Sequence, residues 1–185
     1  MIRTTYLKIA RPEFAAQADG RYHANMAIYR MHELDQCISL YNEVGEAYYW
    51  NLYRIGWTGR DWKEHIARPD IEIFTIRQHS EVIGYLELRK EAGSVEIINF
   101  GLRPSNVGTG LGKPALQTAL HYAFSSGVDE VWLHTCSLDH PAALKNYYAC
   151  GFQMIEEKTE NFLPLDPKPL DRWARSESPV AIGQS

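Results

Sequence analysis

Cysteine is scarce in this 185-residue sequence: Cys37, Cys136 and Cys150 are the only three, odd in number and far apart. Such a set builds no disulfide framework, and apolar neighbours suit these residues as buried thiols. Metal-ligand spacings such as CxxC or HxxxH are also missing. Although alternation puts His134 and Cys136 on one face of a strand, with His140 close behind, no metal site is expected. No GxSxG marks a serine nucleophile, and the supporting signature of a papain-like cysteine is absent. Positive charge is in deficit, with 19 basic against 23 acidic residues and a net charge of −4. That balance disfavours binding to nucleic acid or to an anionic membrane. No apolar run approaches the length of about 18 residues that spans a bilayer, and Met1–Tyr6 does not open an apolar leader. A soluble, cytoplasmic chain is expected, with no nucleic acid and no membrane as partner.

Repeats and low-complexity segments are absent too, and hydrophobic residues make up 45% of the chain, the content of a packed globule. A single domain over residues 1–162 is expected. Four of the nine prolines fall between Pro164 and Pro179. They break regular structure and set off a C-terminal tail, 163–185, in which Leu163, Leu165, Leu170 and Trp173 favour partial packing.

Glycine is concentrated where it matters. Val95–Leu102 is a β-branched run that feeds Gly108-Thr109-Gly110-Leu111-Gly112, which opens onto the amphipathic segment from Lys113 to Phe124. A strand, a loop freed of three side chains and a helix N-terminus together form a phosphate cradle, because loop N–H groups converge at the positive end of the helix dipole. A plain glycine-rich connector is the simpler alternative for the loop alone. A Walker loop would need glycine and a hydroxyl residue where Val107 and Pro114 stand. A Rossmann fingerprint would need GxGxxG and an acid ending the next strand, whereas Asp129 and Glu130 precede the strand expected over Val131–Leu138.

The remaining elements read as strands Thr4–Ala10 and Tyr22–Met31, joined by a turn at Asp19-Gly20. A helix over Leu34–Ala47 follows, then a short helix capped by Thr58. Strands Ile71–Arg77, Glu81–Lys90 and Val95–Leu102 form a meander. A final helix is predicted between Asp139 as N-cap and Gly151 as stop, leading into a strand from Phe152.

Phe100-Gly101-Leu102-Arg103-Pro104, the Gly108–Gly112 loop, and Tyr147 placed four before Gly151-Phe152 resemble the GNAT superfamily of acetyl-CoA-dependent N-acetyltransferases. The resemblance spans about residues 83–157. It implies an α/β (α+β) fold with a central mixed, mostly antiparallel twisted sheet, flanked by helices and splayed to admit the cofactor. It implies acetyl-CoA as co-substrate, with Phe100, Gly101 and Leu102 along the pantetheine arm. Val107, Gly108, Thr109, Gly110, Leu111, Gly112 and Lys113 would lie at the pyrophosphate, with His140 as a further polar contact. Val107 stands where the family usually has Gln or Arg and His140 where Asn is frequent, so binding leans on backbone donors.

Acetyl transfer to an amine needs a proton acceptor for the amine and a proton donor for the leaving thiolate. Glu96 occupies the position of the base in some family members, and Tyr147 matches the acid, with Tyr148 as fallback. Glu96 paired with Arg89 or Lys90, and Lys113 as a plain helix-surface residue, are the structural alternatives. For the acceptor, Tyr48, Tyr49, Trp50, Tyr53, Trp57 and Trp62 make an aromatic cluster able to line a cation site, with Glu43 or Glu46 to pair its charge. Core packing accounts for most of these rings more simply. A small-molecule amine is the expected acceptor, a homodimer stays open, and a catalytically silent acyl-CoA-binding module of the same fold is the alternative.

Overall fold

The computed structural model describes residues 1–17, 25–50 and 54–161. Seven strands form one mixed sheet in the order β2-β3-β4-β5-β6-β1-β7. They are β1 (Ile2–Ala10), β2 (Met26–Arg30), β3 (Ile71–Gln78), β4 (Glu81–Lys90), β5 (Ser94–Leu102), β6 (Glu130–Cys136) and β7 (Gln153–Glu160). All neighbouring pairs are antiparallel except β5 with β6. The helices are α1 (Arg11–Gln17), α2 (Leu34–Gly45), α3 (Gly59–Ile66), α4 (Gly112–Ser125) and α5 (Ala143–Ala149), with 3₁₀ turns at Glu46–Tyr48 and Pro104–Asn106.

Both faces of the sheet are covered, which is why six consecutive residues of β3, from Ile71 to Ile76, are buried. On one face α4 presents Ala115, Leu116, Ala119, Leu120, Ala123 and Phe124, a stripe at helical period whose alanines let the helix sit close to Ile76, Leu86, Ile97 and Leu133. On the other face α2 contributes Cys37, Leu40, Tyr41 and Val44, and α3 contributes Trp62, against Ile71, Ile73 and Tyr85. No helix among the described residues is long and apolar enough to cross a membrane.

Local chemistry explains the helix boundaries. Thr58 and Asp61 form a reciprocal capping box at α3: the Thr58 hydroxyl accepts from the Asp61 N–H at 3.3 Å, and the Asp61 carboxylate accepts from the Thr58 N–H at 2.7 Å. The turn expected at Asp19-Gly20 and the start of the strand at Tyr22 lie outside the described residues. Helix α1 was not anticipated from the sequence, yet Pro12 sits in its first turn and Glu13 accepts from the Ala10 N–H at 2.9 Å. Its Arg11 guanidinium reaches the Phe124 carbonyl at 2.8 Å and the Val128 carbonyl at 2.6 Å, satisfying acceptors around the end of α4.

Asp139 does not cap a helix. Helix α5 begins at Ala143 with Ala142 at its N-cap, and the Asp139 carboxylate instead accepts from the Cys136 N–H (2.9 Å) and the Thr135 hydroxyl (2.5 Å). That turn also ends β6 at Cys136, two residues before the predicted Leu138.

Gly101 in β5 is where α2 meets the sheet. A Cβ there would stand 2.6 Å from Val44 Cγ1 and 3.1 Å from Trp50 Cη2, both buried side chains. Gly101→Ala should therefore cost about 1–3 kcal/mol by overpacking, read as a lower urea midpoint at unchanged m-value.

Candidate active site

Strand β5 pairs with β6 only from Ser94–Glu130 to Ile97–Leu133, and from there the two strands diverge. At the same point β5 carries a bulge: Leu88 of β4 faces Ile97 and Glu87 faces Asn99, so Ile98 is the extra residue. Ile97 and Phe100 consequently both pack on the α4 side although three residues apart, while Ile98 packs on the α2 side. The divergence opens a cavity of about 550 Å³ that runs from the glycine loop to α3. Glu96–Leu102 of β5 form its floor, with His134 and Cys136 of β6 and the Asp139–Tyr147 segment on one wall. The other wall comes from α2, Trp50, Arg54, Trp57 and His65.

At the loop end, Gly108 and Gly110 have φ of +79° and +83°, conformations that a side chain disfavours, and an added Cβ at either would meet nothing within 4 Å. Backbone geometry, not crowding, therefore requires glycine there. Helix α4 starts immediately afterwards at Gly112, with its free N–H groups next to the loop. Phe100, Gly101, Leu102, Val107, Gly108, Gly110, Gly112, Lys113 and His140 all line the cavity. Thr109 and Leu111 do not: the Thr109 hydroxyl donates to the Asn106 carbonyl at 2.7 Å, closing the loop on itself, and Leu111 packs against the core. Asn146, which the sequence reading missed, lines the same end, its amide 3.5 Å from where a Gly112 Cβ would be. The His140 Nδ1 accepts from the Ala142 N–H at 3.0 Å and its ring meets Tyr48 edge-on.

Midway along the cavity, Glu96 is 3% exposed. Its Oε2 contacts the Arg89 guanidinium as an ion pair without hydrogen-bond geometry, and Oε1 lies 3.7 Å from His134 Nδ1. Burial pushes the Glu96 carboxyl up to about 7 despite Arg89, with Glu91 and Glu87 adding to the rise. Arg89 is itself held 3.3 Å from Glu91, whose carboxylate accepts from Ser94 and Trp132, each at 3.0 Å. Desolvation lowers His134 to about 4, so it is neutral at pH 7. Tyr147 is buried and lines the cavity, with no hydrogen bond to its hydroxyl among the described residues. Burial, then the neighbouring Asp139, raises it well above the usual phenol range. Tyr148, one residue on, is 46% exposed and is not part of the lining. Cys136 is half-buried and reaches the cavity, rather than being sealed in the sheet, while Cys37 and Cys150 are buried as expected. Among the described residues no group of His, Cys, Asp or Glu is arranged to hold a metal ion.

The aromatic wall is real but already holds a cation. The Arg54 guanidinium lies 4.5 Å from the Tyr41 ring centroid, 4.7 Å from Trp57 and 4.6 Å from Trp62. Fully buried Glu87 neutralises it: Oε1 is 2.6 Å from Arg54 Nη2 and 2.6 Å from His65 Nε2, and Oε2 accepts from the Tyr85 hydroxyl at 2.7 Å. Trp50 and Trp62 belong to the core, Tyr49 is exposed, and Tyr53 lies outside the described residues. Nor is Glu43 available to an amine, since Arg103 grips both its oxygens at 2.7 and 2.9 Å, and Glu46 does not reach the cavity.

A mixed sheet that splays beside a glycine loop and a helix N-terminus defines the acetyltransferase class of fold. The chain belongs to the GNAT acetyltransferase family, whose model, described as Acetyltransferase (GNAT) family, matches residues 29–152. Solved structures agree on the fold. The PaiA N-acetyltransferase of Thermoplasma acidophilum, determined in complex with coenzyme A, is 20% identical over 73% of this chain and 99% of its own, with a TM-score of 0.55. An aminoglycoside acetyltransferase from an uncultured soil metagenomic sample, in complex with sisomicin, is 15% identical over 77% of this chain and 97% of its own, with a TM-score of 0.58. A conserved protein of unknown function from Staphylococcus epidermidis is 15% identical with a TM-score of 0.59; the match covers 85% of this chain and 60% of that one. A search of curated proteins found no match.

Removing Arg54 would strand the Glu87 charge in the core. Arg54→Met should cost about 3–5 kcal/mol, and Arg54→Met with Glu87→Gln should recover much of it, a coupling that a double-mutant denaturation cycle measures. Arg54 and His65 hold the Glu87 carboxyl far below its ordinary 4.5, so its contribution is complete above that pH and fades as pH falls.

Proposed function

We propose that this chain transfers an acetyl group from acetyl-CoA to a primary amine of a small molecule, by direct attack of the amine on the thioester. The observation that carries this reading is a buried carboxyl of raised pKa and a buried tyrosine lining one cavity, beside a glycine loop and helix N-terminus suited to a pyrophosphate. The family membership and a fold neighbour solved with coenzyme A support the donor.

The residues fit that donor. Gly108 and Gly110 keep the loop backbone clear of side chains, and the free N–H groups at the start of α4 complement phosphate charge. Lys113, exposed at the first turn, adds positive charge there. Beyond Ile97, β5 no longer pairs with β6, so its backbone from Ile98 to Leu102 is available to hydrogen-bond the pantetheine amides and to stabilise a developing oxyanion.

Glu96 takes the proton from the incoming ammonium. A carboxyl at about 7 is half ionised at neutral pH and far more basic than an exposed glutamate, the balance that proton abstraction requires. Arg89 fixes its orientation without taking it into a closed hydrogen bond. Tyr147, kept protonated by burial, donates to the departing thiolate. His134 is neutral in this range and is not needed as the base.

Two measurements test these roles. The rate kcat/KM should rise with pH through about 7 as Glu96 ionises. Glu96→Gln should erase that limb and lower kcat/KM at pH 8 by about 10²–10⁴-fold; an unchanged profile would remove Glu96 from the mechanism. Tyr147→Phe should depress kcat by about 10²-fold with little change in coenzyme A affinity, and equal turnover would move the acid elsewhere. Tight coenzyme A binding with no thiol release for any amine would favour a silent binding module.

A further inference from the structure

The acceptor end of the cavity is rich in donors and poor in acceptors. Arg54, Arg68 and Arg89 all line it, together with His65 and His134, while Glu96 is the carboxylate in the lining there and Glu87 lies fully buried against Arg54. Glu87 is consumed, both oxygens being bonded to Arg54, His65 and Tyr85. Glu96 is the base in the reading above and has to stay free to receive the ammonium proton. The ring box that would suit an ammonium is filled by Arg54, whose Nη1 is buried with no hydrogen-bond partner. Arg89 Nε is likewise buried and not hydrogen-bonded.

A second ammonium in this space would therefore find the ring cage filled by Arg54 and, among the described residues, every lining carboxylate already paired within the protein, which works against binding. An anionic group would instead find guanidinium donors that these pairings leave unused. Arg68 is the guanidinium best placed to receive one, because its side chain is 45% exposed at the cavity. Asp70 occupies only its Nε and Nη2, at 3.1 and 2.5 Å, so the Nη1 donors remain.

We propose that the acceptor is a monoamine bearing a carboxylate, seated with the carboxylate on Arg68 and the amine toward Glu96, and that polycationic amines are excluded by the caged Arg54. This deepens the acetyl-transfer reading and rests on it. It also separates this chain from its fold neighbour crystallised with sisomicin, an aminoglycoside.

Matched pairs that differ only in the carboxylate, phenylalanine with phenethylamine and tryptophan with tryptamine, would be compared beside spermidine and sisomicin. Two readouts are used: calorimetric binding in the presence of coenzyme A, and thiol release from acetyl-CoA. The carboxylate-bearing member should bind about tenfold to a hundredfold tighter, and Arg68→Gln should abolish that difference while leaving the affinity for the decarboxylated amine unchanged. Preference for spermidine or sisomicin, or carboxylate selectivity that survives Arg68→Gln, would overturn the proposal while leaving acetyl transfer intact. Carboxylate-selective binding without thiol release for any amine would uphold the acceptor site and overturn the catalytic reading instead.

Discussion

The parallel contact between β5 and β6 lasts four residues and then ends, and the site depends on that ending. Parallel strands normally stay paired because each leaves N–H and C=O groups that burial makes costly to abandon. Here the bulge at Ile98 re-aims β5 just as the pairing stops. The backbone beyond Ile97 keeps its bonds to β4 and leaves its other edge unpaired. The bulge also resets the alternation of side chains, so Glu96 and Ile98 share the acceptor side while Phe100 and Leu102 turn to the α4 core. One inserted residue thus separates the part of β5 that carries a carboxylate from the part that offers only backbone.

Charge on the acceptor side is arranged around two buried glutamates that differ in what surrounds them. Glu87 has a guanidinium, an imidazole and a phenol as hydrogen-bonding partners and lies well below the carboxylate range. Glu96, one strand away, touches a single guanidinium in poor hydrogen-bond geometry and is raised. The same residue type therefore serves as a fixed structural anion in one place and as a titratable group in the other, because partners outweigh desolvation only at Glu87. Arg54 is the corresponding fixed cation, and its cage is a better seat for a protein guanidinium than for a substrate amine, since Glu87 neutralises it permanently.

Much of this was legible from the chain. The glycine loop, the helix after it, the Thr58 N-cap and the β3–β4–β5 meander are local patterns, set by residues within about one element of each other. Glu96 and Tyr147 could be picked through the family resemblance that the loop and Gly151-Phe152 carry, and both line the cavity. The Arg54 cage was not legible, since it joins Tyr41, Trp57 and Trp62 to Glu87 on a strand 33 residues away from Arg54, and nothing in the spacing marks the pairing. The rings were visible as a cation site, but not the cation. Asp139 misled for a different reason: before a short helix it looks like a cap, yet its carboxylate was already committed to the backbone of Cys136 behind it. Helix α1 had its signal in Pro12 and Glu13, and was overlooked because seven residues are too few for hydrophobic periodicity to register.

The least legible feature is the place of β1. It is first in the chain, lies ahead of the residues matched by the family model, and inserts between β6 and β7, pairing antiparallel with both. Its partners are more than a hundred residues away, so its pairing carries a large loop-closure cost that local contacts do not offset. Strands β3 to β5, joined by short turns, pair with one another without it, and they carry Glu87, Arg89 and Glu96. Strand β6, which supplies His134 and Cys136, is held at the sheet by its short parallel pairing with β5 and by its longer antiparallel pairing with β1. The two walls of the cavity thus have different origins in the chain. The strand that bears the base pairs with its neighbour in sequence, whereas the strand on the acid's side of the cavity pairs with β1 across more than a hundred residues.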